Sequence, residues 1–275
     1  MALKVRSQGL VSDTWNLKYA SFKDIQVNLP PLAEQWRVAE ILRSMDESIR
    51  STERAVAKLE ATKGATISRI LQEDASWVPL RLSDVLAGSP KNGYSPKEVD
   101  AYTGALMLGL GCLTSNGFSP RQLKNAPAGD PAVRRVVLAD GDLLMSRANT
   151  RELVGLVGTF RSFGVPCIYP DLMMRLRPNH LTRTQFLEIL LRSPSVRRQI
   201  EAQAVGTSES MVKISAAIVL NLRMAVPGLE VQDQILSTLT VFDSQLDALG
   251  QEPRPRRCSG LRGSVRVENR TRGEL

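Results

Sequence analysis

Residues 30–72 read PPLAEQWRVAEILRSMDESIRSTERAVAKLEATKGATISRILQ, with no proline after Pro31 and a single glycine, Gly64. Proline suits the start of a helix because the first turn leaves its amide hydrogens unpaired. Apolar positions then recur at steps of four and three residues, the heptad spacing of a coiled coil. The pattern predicts one long helix from Pro30 to Gln72. Its stripe comprises Val38, Leu42, Met45, Ile49, Thr52, Val56, Leu59, Lys63, Thr66 and Ile70.

The length of this helix indicates how it is used. At a rise of ~1.5 Å per residue it extends for about 60 Å, several times the width of a small domain. An ordinary amphipathic core helix is the alternative, but core helices rarely reach this length. We therefore expect a rod that projects from a globular part and packs its stripe on another helix.

A second stretch repeats the pattern 197 residues later: residues 9–49 align without gaps with residues 206–246. In both copies an alternating strand, predicted at residues 25–29 and 222–226, runs into a proline and then a heptad helix. The repeat predicts a duplicated module, of which the chain holds one whole copy and the tail of a preceding one. The stripe of the second helix comprises Ile235, Leu239, Phe242 and Leu246.

Between the two copies the composition is that of a mixed domain. Short apolar runs alternate with glycine-rich turns, and residues 182–203 predict a helix capped by Thr182 or Thr184 and interrupted near Pro194. We expect an α+β chain in which one mixed α/β domain is flanked by long helices that form coiled coils. The predicted parts are a closing strand of a preceding domain (1–29), a spacer helix (30–76), the domain (77–226), a shortened spacer helix (227–249) and a basic tail (250–275).

The tail has no heptad continuation. Residues 250–275 contain seven arginines and no lysine, which is typical of a disordered segment or of a displaced reading frame. A basic tail that grips phosphates is the alternative.

The charge is concentrated in the predicted domain. The chain carries 36 basic and 28 acidic residues, a net charge of +8. Residues 78–228 contain 18 basic and 11 acidic side chains, so 18 minus 11 places +7 in this segment. A domain with this excess is expected to bind a polyanion.

The cysteines and apolar runs exclude several protein classes. Cys112, Cys167 and Cys258 are scattered without a CxxC pair, which argues against a disulfide framework and a thiolate metal site. Neither a signal peptide nor a run of ~18–20 apolar residues is recognisable. We expect a soluble, cytoplasmic protein.

Two motifs in the sequence are specific enough to compare with a known family. The first is the helix start, with Pro30, Pro31, Leu32, Glu34, Gln35, Ile41, Leu42 and Asp46. The second is a Gly-Asp-hydrophobic-hydrophobic-x-Ser-Arg segment formed by Gly141, Asp142, Leu143, Leu144, Ser146 and Arg147. Both are similar to motifs of the specificity subunits of type I restriction-modification systems, and the resemblance covers about residues 9–249.

The resemblance implies two target recognition domains that alternate with two antiparallel helices, each domain reading one half of a split DNA sequence. This chain resembles a truncated or half-size form, in which residues 77–226 are the target recognition domain. The implied partners are double-stranded DNA, modification (methyltransferase) subunits, the restriction/translocase subunit, and a second copy or half-subunit. S-adenosylmethionine, ATP and Mg are implied only on partner subunits, so no cofactor is expected here.

The motifs of an enzyme are missing from the sequence. Residues 28–32, NLPPL, depart from the Asn/Asp-Pro-Pro-aromatic loop that methyl transfer needs, and no Gly-x-x-x-x-Gly-Lys-Ser/Thr loop for ATP occurs. We therefore expect a non-catalytic subunit. The alternatives are an orphan DNA-binding fragment, a stand-alone methyltransferase or nuclease, and a coiled-coil scaffold that binds RNA.

The candidate DNA contacts lie in three polar segments, 89–97, 146–151 and 206–215. Lysine, arginine, serine and threonine suit phosphates, while arginine and asparagine can read base edges in pairs of hydrogen bonds. The candidates are Lys91, Asn92, Lys97, Ser146, Arg147, Asn149, Thr150, Arg151, Ser208 and Lys213. The alternative for the second segment is an Asp142–Arg147 ion pair with Asn149 capping a turn. Arg197 and Arg198 are interpreted as a solvated helix face.

Overall fold

The structure, a computed structural model, describes residues 19–72, 76–127, 129–206 and 211–251. The helices are α1 (Tyr19–Lys23), α2 (Leu32–Ile70), α3 (Pro131–Arg135), α4 (Thr184–Arg192), α5 (Pro194–Gln203), α6 (Ala216–Leu220) and α7 (Leu229–Gln251). The strands are β1 (Val78–Arg81), β2 (Lys91–Asn92), β3 (Leu106–Leu108), β4 (Leu113–Thr114), β5 (Gly117–Phe118), β6 (Leu123–Asn125), β7 (Leu143–Ser146), β8 (Ala148–Asn149), β9 (Val157–Thr159), β10 (Cys167–Ile168), β11 (Met173–Leu176), β12 (Val212–Lys213) and β13 (Arg223–Val226). The α+β prediction is confirmed.

The internal repeat is visible in the helices. Helices α1 and α6 end at Lys23 and Leu220, and α2 and α7 begin at Leu32 and Leu229. Both pairs of residues are separated by 197 positions, the offset found in the sequence. The repeated sequence therefore folds into repeated local structure.

The strand predicted at residues 25–29 is wrong. These residues form no strand, whereas the equivalent β13 pairs antiparallel with β1, with Val226 opposite Val78. A strand exists only where a neighbour accepts and donates its backbone hydrogen bonds. The described residues supply that neighbour to the second copy and not to the first.

Helix α2 contains 39 residues, none of them buried. It crosses from a first compact unit, of which residues 19–55 are described, into a second unit that covers residues 56–250. In the first unit the stripe residues Val38 and Leu42 are 47% and 56% exposed. The predicted long helix is thus present, and none of its side chains is fully buried.

The second half of α2 packs within the second unit. Lys63 forms an ion pair with Asp243 of α7, and Ile67 and Ile70 pack on the core that includes Ile235 and Leu239. The stripe residues Val56 and Leu59 are half-buried. Helix α7 is described over 23 residues, Leu229–Gln251, and the prediction that it is shorter than α2 concerns residues outside the described ones.

The domain contains two hydrophobic cores on either side of a four-stranded sheet of order β2-β11-β7-β9. Leu143 and Met145 of β7 face one core, while Leu144 faces the other. This alternation is the period of two expected of a strand buried on both faces. Helices α4 and α5 complete the first core with Phe186, Leu190 and Ile200.

The predicted break near Pro194 is confirmed, because α4 ends at Arg192 and Ser193 caps α5. The predicted caps of α4 are wrong: the residue at the N-cap position is Arg183, whose side chain makes no capping bond. In the described residues no helix is both long and apolar enough to cross a membrane.

Candidate nucleic-acid interface

Two of the three predicted segments leave the four-stranded sheet at the same end. Asn92 of β2 lies opposite Met174, and Ser146 of β7 lies opposite Met173, both on the central strand β11. The register continues beyond the strands, since the amides of Gly93 and Arg147 donate to the carbonyls of Met173 (3.1 Å) and Leu172 (2.7 Å). Residues 93–97 and 147–151 therefore emerge at the same end of the sheet, with β11 between the two strands that precede them.

The third segment joins them through a separate strand pair. Lys213 of β12 lies opposite Ala148 of β8, and the Ile214 amide donates to the Arg147 carbonyl at 2.9 Å. Strand β8 follows β7 directly along the chain, so this pair lies at the end of the sheet from which residues 147–151 emerge. We call the surface formed by residues 91–97, 147–150 and 213 the cationic edge.

This edge carries four cationic side chains. Lys91, Lys97 and Lys213 are exposed and Arg147 is half-buried, and none of the four forms an ion pair with the part of the chain that the structure describes. The carboxylate of Asp171 lies beside them and accepts a hydrogen bond from Ser95. The edge is therefore positively charged and available to an anionic partner.

Ser146 does not take part in this surface. It is fully buried, and its hydroxyl donates to the Leu153 carbonyl (3.0 Å) and accepts from the Leu156 amide (3.1 Å). These bonds close the turn that follows Arg147. The structure thus corrects the candidate contact at Ser146 to a role inside the domain, which sets the path of the neighbouring residues.

Arg151 is also used internally. Its guanidinium donates to the carbonyls of Glu201 (3.1 Å) and Ala204 (3.3 Å) at the end of α5. A cation is favourable there because the last carbonyls of a helix lack partners and carry partial negative charge. We therefore leave Arg151 out of the proposed contact surface.

Arg197 connects α5 back to the loop that contains Arg151. The prediction that it lies on a solvated helix face is wrong. From α5 it donates to the carbonyls of Val154 (2.6 Å) and Glu152 (2.9 Å). Arg151 reaches from the loop 150–155 to α5, and Arg197 reaches from α5 to the loop. We call this pair of contacts the arginine clamp. No sequence signal distinguishes Arg197 from Arg198, which is exposed.

The alternative ion pair between Asp142 and Arg147 is absent. Asp142 instead pairs with Arg175 at 3.1 Å, with both side chains largely buried. The guanidinium of Arg175 also lies 5.5 Å from the centre of the Tyr169 ring. Within the described part of the chain Arg147 therefore has no competing ion-pair partner, although Asn149 does accept a hydrogen bond from the Thr150 amide at 2.9 Å, as a turn cap would.

Gly93 controls how β2 reaches the edge. A Cβ at this position would overlap the backbone carbonyls of Tyr169 and Pro170. After it, the Tyr94 amide donates to the Tyr169 carbonyl (3.0 Å), and the Tyr94 side chain bonds Asp130, which raises the pKa of the phenol. Gly93 thus marks a close approach of two backbones.

One predicted contact, Ser208, lies outside the described residues. Among the described residues, no group of three or more His, Cys, Asp and Glu side chains could hold a metal ion. The geometry at the edge offers hydrogen-bond donors and positive charge, which suits a binding surface.

Comparison with known proteins gives consistent matches. The chain is 24% identical over 267 residues to the type I restriction enzyme EcoKI specificity subunit of Escherichia coli K12, covering 90% of this chain and 57% of that subunit. It is 22% identical over 263 residues to the MjaVIII specificity subunit of Methanocaldococcus jannaschii, covering 84% and 58%. The chain is similar to type I specificity subunits. The resemblance predicted from the two motifs is thereby confirmed.

A solved structure supports the fold. The S subunit of a type I restriction-modification system from M. genitalium superposes with a TM-score of 0.56 at 12% identity, covering 90% of this chain and 64% of that one. No protein-family model matches the sequence. The chain spans less than two thirds of the length of the specificity subunits that it matches.

Proposed function

We propose that the chain is a sequence-specific DNA-binding specificity subunit of a type I restriction-modification complex and performs no catalysis. The cationic edge carries this proposal, because it collects Lys91, Lys97, Arg147 and Lys213 without ion-pair partners among the described residues. The lysines suit phosphates, which fix the register on DNA. Arg147 and Asn149 have the donors and acceptors that guanine and adenine edges require.

The described residues contain one such domain, so we propose that it reads one half of a bipartite target. The other half would be read by a second copy or a half-subunit, which would pack on the exposed stripe of α2. The long helices would dock the methyltransferase subunits and, through the complex, the restriction subunit, in the cytoplasm. S-adenosylmethionine, ATP and Mg would bind only to those partners.

DNA recognition is tested by comparing an arginine of the cationic edge with an exposed arginine on α5. Arg147→Ala should weaken binding to the specific sequence by about 1–3 kcal/mol and leave the salt-dependent binding to random DNA nearly unchanged. Arg198→Ala, an exposed arginine on α5, is the matched control and should change neither. Fluorescence anisotropy at several salt concentrations measures both. An equal loss on random DNA would reduce Arg147 to a phosphate contact.

The target for that experiment comes from the genome. Sequencing of methylated bases in source cells with and without the gene should reveal a split motif that disappears on deletion. Co-purification of the chain with a methyltransferase subunit should accompany it. An unchanged methylation pattern together with no co-purification would instead identify an orphan DNA-binding fragment.

A further inference from the structure

Gln232, in the first turn of α7, is a fully buried polar residue with every hydrogen-bonding position used. Its oxygen accepts from the Arg183 amide (2.8 Å) and the Thr182 hydroxyl (3.3 Å). Its amide nitrogen donates to the carbonyls of Leu181 (3.0 Å) and Pro227 (2.9 Å). Glutamine offers two donors and two acceptor positions, so the side chain is fully satisfied.

The internal repeat allows the hydrogen bonds of Gln232 to be compared with those of its equivalent in the first copy. Gln35, the equivalent residue in α2, donates to the Pro30 carbonyl at 2.8 Å, as Gln232 does to Pro227. The Gln35 side chain is exposed and forms no other hydrogen bond with the described residues. The bond to proline therefore belongs to the helix start, and the three bonds to residues 181–183 are an addition found in the second copy.

Those three residues form the segment that leads into α4, a helix whose apolar side chains belong to the first core of the domain. The adjacent Arg183 holds Asp233 through two bonds of 2.8 Å. At the position of Asp233 the first copy has Trp36. The start of α7 is thus fixed to the domain by a buried amide and an exposed ion pair on consecutive residues.

We propose that Gln232 is a positioning residue that fixes the direction in which α7 leaves the recognition domain. Side-chain bonds on a helix's first turn orient the whole helix, because a small rotation at its start is amplified along its length. For DNA modification the inference rests on the proposed function, in which the domain sets the register and the helices carry the methyltransferase. A misdirected helix would leave the cationic edge intact and displace the bound enzyme from its target base.

The direction of the helix is measured on the isolated chain. Spin labels at Asp247→Cys on α7 and Arg121→Cys in the domain, both exposed sites, report one distance by pulsed electron resonance in a Cys258→Ser background. Gln232→Met keeps the length of the side chain and removes the four bonds, and should broaden the distance distribution. Gln35→Met, the matched control, should leave it unchanged. An unbroadened distribution in Gln232→Met would overturn the proposal.

A second variant separates hydrogen bonding from packing. Gln232→Glu preserves shape but lacks, when ionised, the donors to Leu181 and Pro227; protonation restores one of them. The distribution should therefore be broad near pH 8 and narrow towards pH 5. The charged or titratable neighbours along the chain are His180, Arg183, Glu230 and Asp233, and His180→Gln is included as the control for the neighbouring histidine. A width that is independent of pH would contradict the assignment, and this variant also serves if Gln232→Met does not fold.

The functional readout uses the complex reconstituted with its methyltransferase subunit. Gln232→Met should keep the DNA affinity of the chain and lower the rate of methylation roughly 10- to 100-fold, as misplacement by about 1 Å does. An unchanged rate would refute the functional role of the helix direction. If the unaltered chain binds no specific DNA, the proposed function fails, whereas the spin-label result still decides the role of Gln232.

Discussion

Arg197 connects α5 to the loop that carries the cationic edge. Arg197→Ala removes the donors to the carbonyls of Glu152 and Val154, and we expect the free energy of unfolding to fall by about 1–3 kcal/mol. Urea denaturation measures this change. Hydrogen exchange at residues 153–156 should also accelerate, because the loop loses its attachment.

The neighbouring arginine provides the control for that measurement. Arg198→Ala should alter the unfolding free energy by no more than about 0.5 kcal/mol, as is usual for exposed positions. Equal effects of the two substitutions would show that the arginine clamp does not stabilise the loop.

At this scale the sequence indicated which segment matters but not what each side chain does. Residues 146–151 do place Arg147 at the edge, and its contact with DNA stays a prediction. Ser146 and Arg151 have the composition of DNA contacts, yet their partners are the Leu153 carbonyl and the end of α5. These partners lie across turns or up to 53 residues away, and residue type alone does not contain that information.

At the scale of elements, Asp233 links the start of α7 to acid stability. Its bond with Arg183 lowers the carboxyl pKa from the ordinary 3.8. A lowered folded pKa stabilises the protein above the unfolded value, and this contribution is lost as the pH falls through the folded pKa. Asp233→Asn should therefore cost stability at pH 7, and its difference from the unaltered chain should shrink below about pH 4.

Thermal unfolding between pH 7 and pH 3 measures this difference. Asp247→Asn, an exposed carboxyl on the same helix, is the control and should leave the pH profile close to that of the unaltered chain. A difference between Asp233→Asn and the unaltered chain that stays constant down to pH 3 would contradict the ion pair's role.

Elements with a long, regular pattern were predictable. The start of α2 and its 39-residue length follow from the proline pair and the heptads, to within two residues at each end. The strand at residues 25–29 had the same alternating pattern as β13 but has no described neighbour. Periodicity reports the face of an element, whereas strand formation also depends on a second segment.

At the scale of the whole molecule, the exposed stripe on the first half of α2 predicts association. Val38, Leu42 and Met45 are 47%, 56% and 39% exposed and lie on one heptad face. We expect light scattering to give a mass above the 30.3 kDa of one chain at high concentration. Leu42→Lys with Met45→Lys should reduce the mass to that of one chain.

A pair of substitutions off the stripe gives the comparison: Arg43→Ala with Glu47→Ala should not change the mass. A monomer at every concentration before any substitution would contradict the predicted pairing.

The α+β class and the duplicated module were predictable because composition and repeats extend over the whole chain. The division of α2 between two compact units was not, since the heptads continue across that point without a break.

The close approach at Gly93 has a consequence for anyone who wishes to retarget the protein. Libraries that randomise Tyr94, Lys97, Arg147 and Asn149 would vary side chains that emerge from a fixed frame. Including Gly93 would discard most members, because every other residue collides with the backbone at Tyr169 and Pro170. With Gly93 and Ser146 held constant, the contact residues of the cationic edge could be exchanged while the backbone that carries them stays the same.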